Sequence, residues 1–196
     1  SQDGTVRLWS LSESSSVGKG PLMFAGHHGP VYSVAFSHDG RKVASAGYDH
    51  RIMIWNPDDV QPFDIAETLV RGSSSVAPHV LLEGHTEAVR CVRFSGDDKR
   101  LASVGHDNTV RVWDLAHAAP IKVLRGHGGW LRSCAWLGED RSLVSVGHDQ
   151  VAKLWNLEGY EEARILRGQL LSGHDDAVLA ASFSPDGSQI VTASRD

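Results

Sequence analysis

The chain has 196 residues, 41% hydrophobic and 22% charged, a composition that fits one or two globular domains and excludes a disordered polymer. Its net charge of −5 argues against duplex nucleic acid as the main partner, because such binding rests on clustered Lys and Arg neutralising phosphates. No apolar run approaches the ~20 residues that span a bilayer, and no signal peptide is expected at a start that falls inside a repeat.

Taken in order, residues 1–9 read as a turn and a strand, with Val6 and Leu8 alternating with Thr5 and Arg7 after the turn signal Asp3-Gly4. A Ser/Gly-rich loop over 10–20 leads to a short strand at 21–25. A first full unit follows, with strands at 31–36, 42–47 and 51–55, and a fourth at 79–83 beyond an interruption over 56–78. Within that interruption, residues 62–71 fit a short helix or a mobile surface loop. The second unit has strands near 89–94, 100–104, 109–113 and 121–124. A third runs from Trp130 to about Leu171, with 159–167 as a polar connection. The last unit begins at Ala177, turns at Ser184-Pro185-Asp186-Gly187, and reaches Asp196 after its second strand.

Fixed spacing ties these units together. A Gly-His pair opens each of four units, at His27, His85, His127 and His174, and an Asp follows 22 residues later, at Asp49, Asp107, Asp149 and Asp196. Four residues before each Asp stands a hydroxyl, Ser45, Ser103, Ser145 or Thr192; six after the first three stands Trp55, Trp113 or Trp155. Asp3 and Trp9 keep the same six-residue step. Length varies elsewhere: from each Trp to the next of these histidines the gaps are 18, 30, 14 and 19 residues. Short strands with regular turns suggest an all-β fold. Four-stranded units every ~40–45 residues point to propeller blades.

The Gly-His pairs, the Ser-Pro-Asp-Gly turn, the Ala-Ser-x-Gly-x-Asp second strand and the closing Val110-Arg111-Val112-Trp113-Asp114 resemble the WD-repeat β-propeller family over essentially the whole chain. The resemblance implies an all-β propeller of four-stranded antiparallel WD-type blades, with four blades' worth in this chain. The units are 1–25 (last two strands of a shared blade), 26–83 (a blade with the insertion 56–78), 84–125, 126–172, and 173–196 (first two strands of a shared blade). Departures are Asn56, Asn156 and Ser10 after Trp, and Gly96-Asp97-Asp98 and Gly138-Glu139-Asp140 in place of the Asp-Gly turn, which are expected to weaken those turns.

Asp, His and Ser together invite a hydrolase reading, but a nucleophilic triad is one constellation in one accessible site, and this set recurs four times. The resemblance implies instead a structural tetrad of His, Asp, Ser or Thr, and Trp indole, whose closed hydrogen-bond network satisfies each buried polar tip. Neither the histidines nor the cysteines show zinc spacing, and no cofactor is expected. Cys91 and Cys134, in apolar strands of different units, read as buried free thiols in a reducing, cytoplasmic setting rather than as a disulfide.

In the family, partners bind a face built from the entry loops and the turns between second and third strands. By that resemblance the contact positions are Pro30, Tyr32 and Tyr48; Ala88, Arg90 and His106; Trp130, Arg132 and His148; and Ala177, Leu179 and Arg195. Trp and Arg are enriched at interface hot spots, and the arginines suit an acidic or phosphorylated peptide. The opposing reading has these side chains capping the blades and binding nothing. The expected function is a non-catalytic protein-interaction scaffold; the competing classes are a self-assembling module and an enzyme using the central channel.

Three closures of the two half-blades are open. The chain can close on itself as four blades; two chains can join head to tail as an eight-bladed homodimer; or the segment can belong to a longer parent. The last two are favoured. Trp9 is the expected fourth-tetrad partner of His174, Thr192 and Asp196.

Overall fold

The computed structural model describes residues 1–9, 21–59, 78–137, 140–158, 164–166, 174–184 and 186–196. The candidate helix at 62–71 lies outside the described residues. Among the described residues sixteen strands are formed: β1 (Thr5–Leu8), β2 (Leu22–Ala25), β3 (Val31–Phe36), β4 (Val43–Gly47), β5 (Ile52–Trp55), β6 (Val80–Leu82), β7 (Val89–Phe94) and β8 (Arg100–Gly105). They continue as β9 (Val110–Asp114), β10 (Ala119–Leu124), β11 (Leu131–Leu137), β12 (Ser142–Gly147), β13 (Ala152–Asn156), β14 (Arg164–Leu166), β15 (Val178–Phe183) and β16 (Ile190–Ser194). A 3-10 turn at Pro57–Asp59 is the one helical element among the described residues.

The strands meander into three four-stranded antiparallel blades, β3–β4–β5–β6, β7–β8–β9–β10 and β11–β12–β13–β14, flanked by the pairs β1–β2 and β15–β16. Turn chemistry explains the regular return of the chain. Between the second and third strands of each blade, the residue after the Asp takes a left-handed backbone: φ is 66° at His50, 60° at Asn108 and 63° at Gln150. Asn and His tolerate that region better than most residues, and the Asp side chain accepts from the backbone two residues on, as at Arg51, Thr109 and Val151.

The core lies between blades, not within them. Ala44, Ala46, Ile52, Ile54 and Leu82 of the first blade meet Val89, Val92, Phe94, Leu101 and Trp113 of the second. Cys91, Ala102, Val104, Val110 and Val112 meet Leu131, Cys134, Leu143 and Trp155 of the third. The small residues of β4 and β8 let these faces approach closely. Val6 and Phe24 from β1–β2 pack on the first blade, and Val178 and Ala181 of β15–β16 pack on the third.

The ends of this stack are uncovered. Val34 and Phe36 of β3 are 55% and 56% exposed, whereas Val92 and Phe94 at the same positions of β7 are 0% and 4% exposed. On the side away from the second blade, the first blade has only the β1–β2 pair beside it among the described residues, and the two-stranded sheets do not pair with each other. Closure of the chain on itself as a four-bladed ring is therefore not adopted here. Trp9 is 64% exposed, and the β1–β2 pair next to it is not hydrogen-bonded to the β15–β16 pair that carries Thr192.

One expectation is corrected. The segment 159–167, read as a polar connection, contains β14, which pairs with β13 from Ala152↔Leu166 to Leu154↔Arg164. Its polar flanks hid a three-residue strand that the unfilled edge of β13 recruits. The turns lacking Asp-Gly, expected to be weakened, keep the left-handed backbone and add bonds to the neighbouring blade. Asp98 and Asp140 occupy the glycine position with φ of 55° and 61°, against 71° at Gly40 and 70° at Gly187. The strain of a side chain there is offset because each carboxylate reaches the preceding blade. Asp98 accepts from the backbone N–H of His38 (2.8 Å) and Asp39 (2.9 Å). Asp140 accepts from Gly96 (2.7 Å) and Asp97 (3.1 Å).

Candidate partner-binding face

Each blade is pinned by a four-residue network with one geometry. In the second blade His85 Nδ1 lies 2.8 Å from Asp107 Oδ2, His85 Nε2 lies 2.7 Å from Ser103 Oγ, and Trp113 Nε1 donates to the same Oγ at 2.8 Å. The first blade repeats it with His27, Asp49, Ser45 and Trp55 at 2.9, 2.8 and 2.8 Å. His127, Asp149, Ser145 and Trp155 of the third blade do so at 2.7 Å throughout. An ionised carboxylate only accepts, so Nδ1 carries the proton and Nε2 accepts from the serine hydroxyl, whose oxygen then receives the indole N–H.

The fourth set is incomplete. His174 reaches Asp196 at 3.1 Å and Thr192 Oγ1 at 3.0 Å, with no indole to close it. Its histidine side chain is 25% exposed, while those of His27, His85 and His127 are fully buried.

Electrostatics follow from this burial. Burial alone raises the pKa of Asp49, Asp107 and Asp149, but the bonds from their histidines and the adjacent N–H groups outweigh it and hold each below the ordinary carboxylate range. Burial lowers the pKa of His85, opposed by Asp107. Although Ser, His and Asp sit in the order of a catalytic triad, Ser45, Ser103 and Ser145 are wholly buried, and the indole occupies the oxygen a substrate would have to approach.

The tetrads hold one end of each blade rigid, and that end carries the predicted contact positions. Every first strand contains a bulge there. Pairing steps from Val31↔Gly47 to Ser33↔Ala46, from Val89↔Gly105 to Cys91↔Val104, from Leu131↔Gly147 to Ser133↔Val146, and from Val178↔Ser194 to Ala180↔Ala193. The residues skipped are Tyr32, Arg90, Arg132 and Leu179. A bulged residue is released from the ladder and re-aimed. Beside it, the carbonyls of Pro30, Ala88, Trp130 and Ala177 accept from the N–H of Tyr48, His106, His148 and Arg195 at 2.8, 2.9, 2.8 and 3.2 Å. Entry loop and turn are thereby stitched together in every unit.

Several of these side chains form contacts across blades. The Arg90 guanidinium lies over the Tyr32 ring at 4.1 Å. His106 stacks on Trp130 with centroids 4.5 Å apart, and His148 meets the same indole edge-on at 5.6 Å. Arg132 Nε donates to His148 Nε2 at 2.9 Å. Trp130 remains 50% exposed. Burial, then Arg90 and Arg132, lowers the pKa of His106; burial, then Arg90 and Arg195, lowers that of Arg132. Tyr48 instead covers Gly29 and faces His50, and Leu179 and Arg195 are exposed at the far end of the row. Among the described residues no group of three or more His, Cys, Asp or Glu is arranged to hold a metal ion, and no helix is long and apolar enough to cross a membrane.

Sequence reading missed the carboxylate caps of Asp98 and Asp140, whose signal was an Asp at a turn position otherwise filled by Gly. It also missed the buried cations Arg111 and Lys153, which cover Gly84 and Gly126.

Fold and tetrads together define a repeat protein of the β-propeller class. Residues 19–56, 77–114, 118–156 and 167–196 match the WD domain, G-beta repeat, and the chain belongs to the WD-repeat family. It is 37% identical over 123 residues to mouse striatin-4, covering 58% of this chain and 15% of that protein, and equally so to human striatin-4. It is 31% identical over 142 residues to the ribosome biogenesis protein YTM1 of Candida albicans, covering 58% of this chain and 30% of that protein. The chain therefore spans a minor part of the length of these relatives.

Proposed function

We propose that the chain is a non-catalytic interaction scaffold that binds a peptide or protein partner on the face carrying the bulged residues and their neighbouring turns. The observation that carries this reading is the half-exposed Trp130, held between His106 and His148 and flanked by Arg132. A rigid aromatic beside arginines is what interface hot spots use. Arg90, Arg132 and Arg195 on an otherwise acidic chain favour an acidic or phosphorylated segment. Tyr32, Tyr48 and Leu179 supply apolar contact around it. The units 1–25, 26–83, 84–125, 126–172 and 173–196 act as one segment of the propeller, and the free thiols Cys91 and Cys134 suit a cytoplasmic setting.

The test is a peptide array of acidic and phosphorylated sequences, followed by titration of the best binder. Trp130→Ala with Arg132→Ala should weaken it about 30-fold or more, the loss of a hot-spot residue, with the unfolding midpoint nearly unchanged. A fall in stability like that of a core substitution would make Trp130 a packing residue and defeat the reading.

A second reading rests on the exposed Val34, Phe36 and Val191. These mark surfaces that further strands would cover, supplied either by a second copy in an eight-bladed homodimer or by the remainder of a longer chain. In it Trp9 closes the tetrad of His174, Thr192 and Asp196.

A further inference from the structure

The repeat frame sets an offset between neighbouring first strands. The third residue of one faces the fourth residue of the next: Ser33 Oγ of β3 accepts from the N–H of Val92 in β7 at 3.2 Å. One blade on, the same offset sets Cys91 of β7 against Cys134 of β11. Their sulfurs are 4.0 Å apart, the Cys134 thiol pointing at Cys91. Both are free, and they are only 4% and 0% exposed. Sulfurs in contact at that distance need move only about 1 Å each to reach bonding separation.

The surroundings separate the two thiols chemically. The hydrogen bond from the Cys134 thiol draws the Cys91 pKa down against the opposing effect of burial, with Arg93, the Cys134 N–H and Ser133 adding to it. The bond to Cys91 and burial push Cys134 up. The two thiols are thus inequivalent, with Cys91 the one favoured as thiolate.

We propose that Cys91 and Cys134 are an oxidisable pair that a hydroperoxide converts into a disulfide joining the second and third blades. The Cys91 thiolate attacks the peroxide oxygen, breaking the O–O bond and leaving Cys91 as a sulfenic acid with hydroxide released. The Cys134 sulfur then attacks the Cys91 sulfur and displaces the sulfenic hydroxyl. In sum two thiols and one hydrogen peroxide give one disulfide and two waters. The bond ties β7 to β11 beside Arg90 and Arg132, so it stiffens the blade pair that carries Trp130 and His106.

The test treats the whole chain with hydrogen peroxide, quenches it, and counts thiols in denaturant. The expected result is loss of both thiols, an intact mass lighter by two hydrogens, and a non-reduced peptide map linking the Cys91 and Cys134 peptides. The bond spans 43 residues, so the unfolding midpoint should rise by about 5–10 °C and fall back on reduction. Cys134→Ser should show no such rise, and its Cys91 should trap a sulfenic-acid reagent instead. Two thiols still free in the treated protein, a sulfinic acid on Cys91 without the cross-link, or disulfides only between molecules would each overturn the proposal.

Discussion

Replacing Asp107 by Ala tests what the tetrads do. Its carboxylate accepts from His85 Nδ1 (2.8 Å), Thr109 Oγ1 (2.8 Å), Thr109 N (3.1 Å) and Thr86 N (3.3 Å). The hydroxyl of Thr109 can turn elsewhere, and the Thr86 N–H lies near solvent. The His85 ring is fully buried, so its Nδ1–H stays unpaired. An orphaned buried donor costs ~1–3 kcal/mol, and the weaker losses at Thr109 bring the expected total to about 3 kcal/mol. For a chain of this size that lowers the unfolding midpoint by about 6–12 °C. Asp196→Ala is the control. It removes the same pairing from His174, whose side chain is 25% exposed, so water replaces the carboxylate and the loss is smaller. Urea titrations of both variants against the parent measure the difference. Equal losses at Asp107 and Asp196 would refute the argument that burial gives the network its strength.

Stability should fall in two stages on acidification, followed by urea midpoints from pH 8 to 3. His85 has a lowered folded pKa, so its contribution is whole above its unfolded value of ~6.5 and declines as pH drops below it; those of Asp49, Asp107 and Asp149, also lowered, are whole above ~4 and are lost as pH falls through their folded values. A flat profile would contradict these shifts. Asp98→Gly keeps a residue suited to φ of 55° but removes the caps on His38 and Asp39, and should cost about 1 kcal/mol net; an unchanged or raised midpoint would show that relieved strain outweighs the caps. Light scattering should find Trp9→Ala shifted toward smaller species if a second copy closes the half-blades, and the same mass as the parent otherwise.

The repeat was legible because its constraints are local in sequence. His, Ser, Asp and Trp keep fixed spacing, since each network closes within three consecutive strands, and apolar alternation marked most strands within a residue or two. What crosses between blades was less visible. Asp98 reads as a poor turn residue until the preceding turn is placed against it, and Cys91 and Cys134 appear unrelated until β7 and β11 are set side by side. β14 escaped notice because three residues are too few for a periodic signal, and pairing with β13 alone defines it. The proposed contact row comes from likeness to a family, not from spacing. Tyr32, Arg90, Arg132 and Leu179 share a position and no chemistry.

That shared position has an evolutionary meaning. At the bulge the ladder skips one residue in every unit, so its side chain answers neither to strand register nor to the interblade core. An aromatic, two cations and an aliphatic residue occupy it with the surrounding pairing unchanged. The bulged residues and the tetrads are thus separate letters of the same repeat. Selection can rewrite the first set, one blade at a time, with the strand pairing kept, so duplication of a blade also duplicates a position that the ladder leaves free.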